Sequence, residues 1–331
     1  MLIAKDSNTP RDRLPRWLMA ACLCAQLLAC AGAPRGQLPE RVIANASVGG
    51  SIVAFNGSST RIALGDWKGD IAVWELSEEK RLHRWHAHHG SVHGIAFLDR
   101  DRRILSGGYD GELAAWDAQG RQLRRISAGS PILAMTVSEP DNTVITGHAD
   151  GSVGVWQLDS LQPRRRLPVH EGAVRAVAYL PGRQWIASSG TDTRVFLWRG
   201  LDAQPAALPL PPTDSRALQF SPDAKWLIGS GWFRLFRWNL ATAELTTLPT
   251  EHNGVIASLQ YSADGHYLAS ISRKTDSSVY FLDPMDGDVV RRFQQHELCG
   301  SWVALSPDGN YLASTSDDAT VRIWRLDKQD H

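Results

Sequence analysis

A short segment that ends in tryptophan recurs along the chain at nearly constant spacing. The closing residues are Trp74, Trp116, Trp156, Trp198, Trp238 and Trp324, and a related segment closes on Leu282. Consecutive positions lie 40 to 44 residues apart. Alternation rich in Val, Ile and aromatic residues predicts a β-strand in each segment. A period of this length predicts one supersecondary unit per repeat, and therefore an all-β repeat domain.

Further strand and turn signals precede each closing segment. Before the last one, residues 305–318 read Leu-Ser-Pro-Asp-Gly-Asn-Tyr-Leu-Ala-Ser-Thr-Ser-Asp-Asp, and Val-Arg-Ile-Trp follows at 321–324. These phrases resemble WD40 repeats, and the resemblance covers about residues 40–327. It implies an all-β, seven-bladed WD40 β-propeller, with four-stranded blades around a central channel.

The two ends of the repeat region predict how the ring closes. The last repeat stops after its third strand, whereas residues 41–46 (Arg-Val-Ile-Ala-Asn-Ala) have strand character and precede the first complete repeat. We expect this N-terminal strand to join the last blade and close the ring, because closure removes the exposed sheet edges of an open array.

A second pattern has the period of the blades. Three quartets of His, Ser, Asp and Trp have identical offsets: His88, Ser106, Asp110, Trp116; His170, Ser188, Asp192, Trp198; and His296, Ser314, Asp318, Trp324. They resemble the structural tetrad of WD40 repeats, which implies that the Asp accepts a hydrogen bond from the His, that the His bonds the Ser hydroxyl, and that this hydroxyl meets the Trp indole N–H. Three copies argue against a hydrolytic triad, since an enzyme needs one such site. A buried indole N–H needs an acceptor, which favours a structural role.

The other blades depart from this pattern. The blade closing at Leu282 lacks the indole, and the third blade has Ala128 at the His position. In the first and fifth blades the Asp position holds Lys68 and Trp232.

Candidate partner-binding residues follow from the register. The resemblance implies that the turns with the tetrad Asp and the connections with the His share one face, the top face. The residues expected there to bind a partner are Trp67, Tyr109, His93, Arg175, Arg216, Trp232, Arg273 and Trp302. Aromatic residues and Arg are enriched at interface hot spots. The alternative is that Trp67 and Trp232 fold down and cover the core where the tetrad is missing.

Composition and motifs exclude several other functions. Lys and Arg number 35 against 35 Asp and Glu, so the chain lacks the basic excess that would indicate nucleic-acid binding. Five histidines lie at His83, His86, His88, His89 and His93, but their spacing matches no metal motif and His88 belongs to a quartet. We therefore expect no metal, no cofactor and no enzymatic activity.

The N-terminal region predicts an export signal. Residues 1–16 have a basic excess, and a short apolar run follows from Trp17 to Ala29. The run is too short to span a bilayer and is typical of a signal peptide. Leu-Leu-Ala-Cys at 27–30 resembles the lipobox of bacterial lipoproteins, which implies cleavage and acylation at Cys30. An ordinary cleavage site before a cysteine and an uncleaved anchor are the alternatives.

These observations predict a domain order and a function. We expect a lipoprotein signal peptide (1–29), a lipidated tether (30–39), the propeller (40–327) and a short tail (328–331). The function implied is a non-catalytic protein-binding scaffold, monomeric on its own and lipid-anchored in the bacterial envelope. Ala31 favours the outer membrane over the inner membrane. The alternatives are a propeller enzyme or ligand binder that uses the central channel, and an assembly factor for outer-membrane machinery.

Overall fold

The computed structural model describes residues 36–274 and 276–326. In these residues, 28 β-strands form seven antiparallel sheets of four strands each. Each sheet contacts the next, and the seventh contacts the first, so that the sheets form a ring. The prediction of an all-β, seven-bladed propeller is therefore confirmed. No helix in the described ranges has the length and apolarity needed to span a membrane.

Six blades are built from consecutive strands. Blade 1 contains β2 (Ile52–Phe55), β3 (Arg61–Gly65), β4 (Asp70–Glu75) and β5 (Lys80–His86). Blade 2 contains β6 (Val92–Leu98), β7 (Arg103–Gly108), β8 (Glu112–Asp117) and β9 (Gln122–Ser127). Blade 3 contains β10 (Ile132–Ser138), β11 (Thr143–His148), β12 (Ser152–Gln157) and β13 (Pro163–Pro168).

The next three blades continue the same order. Blade 4 contains β14 (Val174–Leu180), β15 (Trp185–Gly190), β16 (Val195–Arg199) and β17 (Ala206–Ala207). Blade 5 contains β18 (Leu218–Phe220), β19 (Trp226–Ser230), β20 (Arg234–Asn239) and β21 (Leu245–Pro249). Blade 6 contains β22 (Val255–Tyr261), β23 (Leu268–Arg273), β24 (Val279–Leu282) and β25 (Val289–Phe293).

Blade 7 combines the two ends of the described chain. Its inner strands are β26 (Gly300–Leu305), β27 (Tyr311–Ser316) and β28 (Val321–Arg325), and its outer strand is β1 (Arg41–Ile43). β1 pairs antiparallel with β28, with Val42 opposite Arg322. The predicted closure by the N-terminal strand is confirmed.

The closure extends further toward the N-terminus than the predicted boundary at residue 40. Gln37 forms a parallel bridge with Phe293 in β25. Its backbone N–H donates to Arg292 O at 2.8 Å, and its carbonyl accepts from Gln294 N at 2.9 Å. Its carbonyl also accepts from the Trp324 indole at 2.9 Å. Gln37, placed by sequence in the tether, therefore connects blades 6 and 7.

The hydrophobic core lies between blades rather than at the centre of the ring. The buried apolar side chains of the described residues form seven clusters, one for each pair of neighbouring blades. The cluster between blades 7 and 1 contains Ile43 from the closure strand, packed with Trp74 and Ile323. Loss of β1 therefore removes apolar contacts as well as backbone hydrogen bonds.

Arginines add polar links between neighbouring blades. The guanidinium of Arg124 donates to Ser160 O at 2.7 Å, and that of Arg165 donates to Leu201 O at 3.0 Å. Arg237 donates to Met285 O at 2.6 Å. The Arg165 side chain, on outer strand β13 of blade 3, therefore contacts blade 4.

Candidate functional site on the top face

Blade 2 contains a complete tetrad. The two ring nitrogens of His88 lie 3.0 Å from an oxygen of Asp110 and 2.7 Å from Ser106 Oγ. The Trp116 indole donates to Ser106 Oγ at 2.9 Å. The geometry fits a neutral imidazole that donates to the carboxylate and accepts from the hydroxyl. Every polar group of this buried set then has a partner.

The His–Asp and His–Ser contacts recur in blades 4 and 7, but the indole contacts do not. Trp198 Nε1 is buried and has no hydrogen-bond partner in the described residues. Trp324 donates to Gln37 O rather than to Ser314. The expectation that these two tryptophans complete their tetrads is therefore corrected. The imidazole contacts are those of His170 with Asp192 and Ser188, and of His296 with Asp318 and Ser314.

The residue opposite the tetrad hydroxyl explains this difference. In blades 2 and 3 that residue is small, Ala114 or Gly154, whereas blades 4 and 7 have Phe196 and Arg322 there. A Cβ on Gly154 would lie 2.6 Å from both the indole nitrogen and the hydroxyl oxygen that bond each other in blade 3. A bulky side chain at this position fills the space between the indole and the hydroxyl, so the indole finds another acceptor or none.

Blade 3 has a tetrad that the sequence analysis missed. His148 lies two residues after Thr146 on the same strand, and its Nε2 is 2.8 Å from Thr146 Oγ1. The Trp156 indole donates to the same hydroxyl at 2.8 Å. His148 Nδ1 lies 3.1 Å from Ser130 O, which replaces the tetrad carboxylate. The signal was present in the sequence as a histidine within strand β11, at the end that faces the connection.

Burial favours the neutral form of these histidines. It lowers the pKa of each tetrad histidine below its ordinary value, against the opposing effect of nearby carboxylates or a carbonyl. This holds for His88, His148, His170 and His296, and also for His252 of blade 6, whose Nε2 lies 2.9 Å from Ser270 Oγ. Burial acts in the opposite direction on Asp318, but hydrogen bonds from His296 and Thr320 hold the pKa of that carboxyl well below its usual range.

A β-bulge in the innermost strand directs one residue of most blades into the channel mouth. The bulged positions are His93, Leu133, Arg175, Ala257 and Ser301. A bulge leaves its extra residue outside the ladder and redirects the side chain. All five residues line a cavity of about 380 Å³ at the top of the channel. These five side chains are thus positioned by the sheets rather than by connecting turns.

The predicted partner-binding residues converge on this mouth. Six of the eight line the cavity, namely Trp67, His93, Arg175, Arg216, Arg273 and Trp302. Tyr109 lies beside the mouth, with its ring 6.2 Å from that of His93. Trp232 also lies at the rim, where Lys274 Nζ is 4.3 Å from its ring centroid. The register therefore brings together side chains that are separated by more than 200 residues.

Three of the aromatic side chains at the mouth remain accessible. Trp67 is 53% exposed, Tyr109 52% and Trp302 36%. The Trp67 indole donates to Val48 O at 2.9 Å, which orients the ring at the surface. Trp232 is half-buried and packs on Phe233. Trp67 thus does not cover the core of blade 1, whereas Trp232 is partly packed.

Comparison with known proteins agrees with this geometry. The family model described as WD domain, G-beta repeat matches residues 79–117, 161–199 and 287–325. The chain carries WD40 repeats in a seven-bladed propeller.

Curated relatives match much of this chain at low identity. Autophagy-related protein 16 of Arabidopsis thaliana is 25% identical over 253 residues, 74% of this chain and 49% of that protein. Human Striatin-4 is 24% identical over 339 residues, 90% of this chain and 45% of that protein. Human Cilia- and flagella-associated protein 52 is 23% identical over 265 residues, 78% of this chain and 42% of that protein. The alignments cover less than half the length of each of these relatives.

The WD40 propeller has one group of side chains with metal-ligand chemistry in its described ranges, formed by His88, Asp110 and Glu112. Both ring nitrogens of His88 already take part in the tetrad, and Glu112 pairs with Arg125. The residues therefore serve the tetrad and its flanking ion pair. The predicted lipidation site, Cys30, lies outside the described residues.

Proposed function

We propose that this protein is a non-catalytic scaffold that binds other proteins on the top face of its propeller. The observation that carries the proposal is the convergence of accessible tryptophans and arginines from several blades on one channel mouth. These residue types dominate interface energetics. Because part of the mouth is built on bulged strands, including the position of Arg175, less ordering entropy is lost there when a partner binds.

The position of the tetrads supports a non-catalytic role. The hydroxyl-bearing residues Ser106, Ser188 and Ser314 have no exposed surface. A nucleophile must reach its substrate, and each of these hydroxyls is already bonded to a buried imidazole. The tetrads thus stabilise blades, and the exposed chemistry lies at the mouth.

We further propose that the protein is lipid-anchored in the bacterial envelope, on the periplasmic side of the outer membrane. This part rests on the basic leader, the apolar run and Leu-Leu-Ala-Cys at 27–30. An acylated Cys30 would keep the propeller near the membrane, since few residues separate it from Gln37. Cys30→Ser should abolish metabolic labelling with a radioactive fatty acid, with Cys299→Ser as the matched control. Labelling that survives Cys30→Ser would refute the anchor.

The scaffold proposal is tested by crosslinking and affinity purification from envelopes. Trp67→Ala/Trp302→Ala should remove the captured partners, because it truncates two accessible aromatic side chains at the mouth. The control is Leu123→Ala/Val290→Ala, which removes exposed apolar side chains from outer strands. Both variants should melt like the parent. Capture that is equal in the two variants would contradict docking at the mouth.

A ligand-binding function in the channel is the alternative. The 380 Å³ cavity shares Leu133, Arg175, Arg216 and Trp302 with a second cavity of about 320 Å³ deeper in the ring. Sites of this size hold small molecules. This alternative would be favoured by a small molecule that raises the melting temperature of the purified protein, if Trp302→Ala abolishes that increase.

A further inference from the structure

Positive charge is concentrated on one side of the channel mouth. Arg175 lies on blade 4, Arg216 precedes β18 of blade 5, and Arg273 and Lys274 belong to blade 6. All four line the 380 Å³ cavity, and its described lining includes no Asp or Glu. The whole chain carries equal numbers of basic and acidic residues, so this cluster is a local feature.

Carboxylates of the protein compensate only part of this charge. Arg273 pairs with Asp317 at 2.8 Å, whereas Arg216 Nε and Asp214 Oδ2 are 3.9 Å apart. Arg216 Nε is buried and has no hydrogen-bond acceptor within residues 36–274 and 276–326. Neither Arg175 nor Lys274 pairs with a carboxylate in the described residues. About two positive charges therefore remain available at the mouth.

The other side of the mouth has a different chemistry. Trp302 from blade 7 and Trp67 from blade 1 face the cavity, together with Ile52, Ser51 and Ser301. A ligand that fits both sides carries negative charge next to an apolar group. Arg binds carboxylates in two-pronged hydrogen bonds, and Trp offers a large apolar surface.

Resting on the proposed scaffold function, we infer that the mouth binds an acidic linear segment of a partner protein. The segment carries at least two carboxylates beside one apolar side chain. The carboxylates contact Arg175, Arg216 and Lys274, and the apolar side chain packs between Trp67 and Trp302. Two monovalent carboxylates match the uncompensated charge of the mouth.

The test uses the full chain and fluorescein-labelled octapeptides with one central Leu and zero, two or four Glu, the remaining positions being Gln and Gly. In fluorescence anisotropy, affinity should rise with the number of Glu and fall with added salt. Arg175→Glu/Lys274→Glu should weaken binding of the four-Glu peptide at least tenfold. Lys80→Glu/Arg100→Glu makes the same charge change on an outer strand and a distant turn, and should leave it unchanged.

Three outcomes would overturn the inference. In the first, the parent binds none of the peptides. In the second, it binds them without dependence on Glu. In the third, inorganic phosphate displaces the four-Glu peptide as readily as unlabelled peptide does. The last result would make the mouth a small-anion site. Partner capture that persists in Arg175→Glu/Lys274→Glu would refute this inference alone. The scaffold proposal would be refuted only if capture were also insensitive to Trp67→Ala/Trp302→Ala.

Discussion

Blades 2 and 7 have the same four tetrad residues at the same offsets and use them differently. In blade 2 the Trp116 indole bonds Ser106 within the blade. In blade 7 the Trp324 indole bonds Gln37, which lies near the other end of the chain. Blade 2 is thus completed by local strands, whereas blade 7 depends on the meeting of distant segments. Identical motif residues can therefore stabilise either one blade or the closure of the whole ring.

The change with the largest expected effect disrupts blade 7 and leaves blade 2 intact. Deletion of residues 36–46 removes β1, the Ile43 side chain and the acceptor of the Trp324 indole. An open ring exposes a sheet edge and an interblade core. We expect loss of the cooperative thermal transition. Deletion of residues 328–331 is the matched truncation, and equal melting of the two truncated proteins would contradict closure by β1.

A second prediction concerns the protonation of the tetrads in both blades. The folded-state pKa of His88 and of His296 lies below that of the unfolded chain, because burial disfavours the imidazolium. Their contribution to stability is therefore complete above about pH 6.5 and is lost as the pH falls below it. The melting temperature should drop between pH 7 and pH 5.5.

Substitution of single histidines sharpens that prediction. His88→Gln and His296→Gln should each reduce the slope of the unfolding free energy against pH. The reduction is at most the slope for one proton, about 1.4 kcal/mol per pH unit. The two reductions should be similar, since both imidazoles keep the same Ser and Asp contacts, although Thr320 Oγ1 also lies 3.2 Å from His296 Nδ1. A smaller effect in blade 7 would show that its imidazole titrates differently.

The prediction with the smallest expected effect compares the tetrad serines of the two blades directly. Ser106 bonds both His88 and Trp116, whereas Ser314 bonds only His296 among the tetrad rings. Ser106→Ala leaves two buried groups without a partner and Ser314→Ala leaves one. Each such group costs about 1–3 kcal/mol. Ser106→Ala should therefore lower the free energy of unfolding by about 1–3 kcal/mol more than Ser314→Ala. Equal losses would contradict the assigned indole contacts.

Much of the fold could be predicted because its signals are local. The alternation before Trp116 and Trp324 defines strands, and the recurrence of the segments defines the number of blades. The closure strand was also predictable, because the last repeat was one strand short. Gln37 was not, since its backbone carbonyl, rather than its side chain, accepts the indole of Trp324.

The candidate site was predicted less completely. Register placed Arg175 and Trp302 on the top face, but the convergence of the charged side chains requires the ring. The repeating quartet does not include His148, because the histidine of the quartet lies in the connection before the strand, whereas His148 lies on the strand itself. The spacing of the quartet could not show that the Trp198 indole does not bond Ser188. The absence of that contact depends on the bulk of Phe196, which lies opposite the Ser188 hydroxyl.

The sequence by itself determined the blade count, the strand order and the candidates for the top face, because these depend on periodicity and residue type. Only the tertiary structure decided which indole meets which acceptor and which charges remain unpaired. Those outcomes depend on distances of a few ångströms between segments far apart in the chain. Packing between blades sets such distances, and the cross-strand neighbours Ala114 and Phe196 show that one side chain is enough to change them.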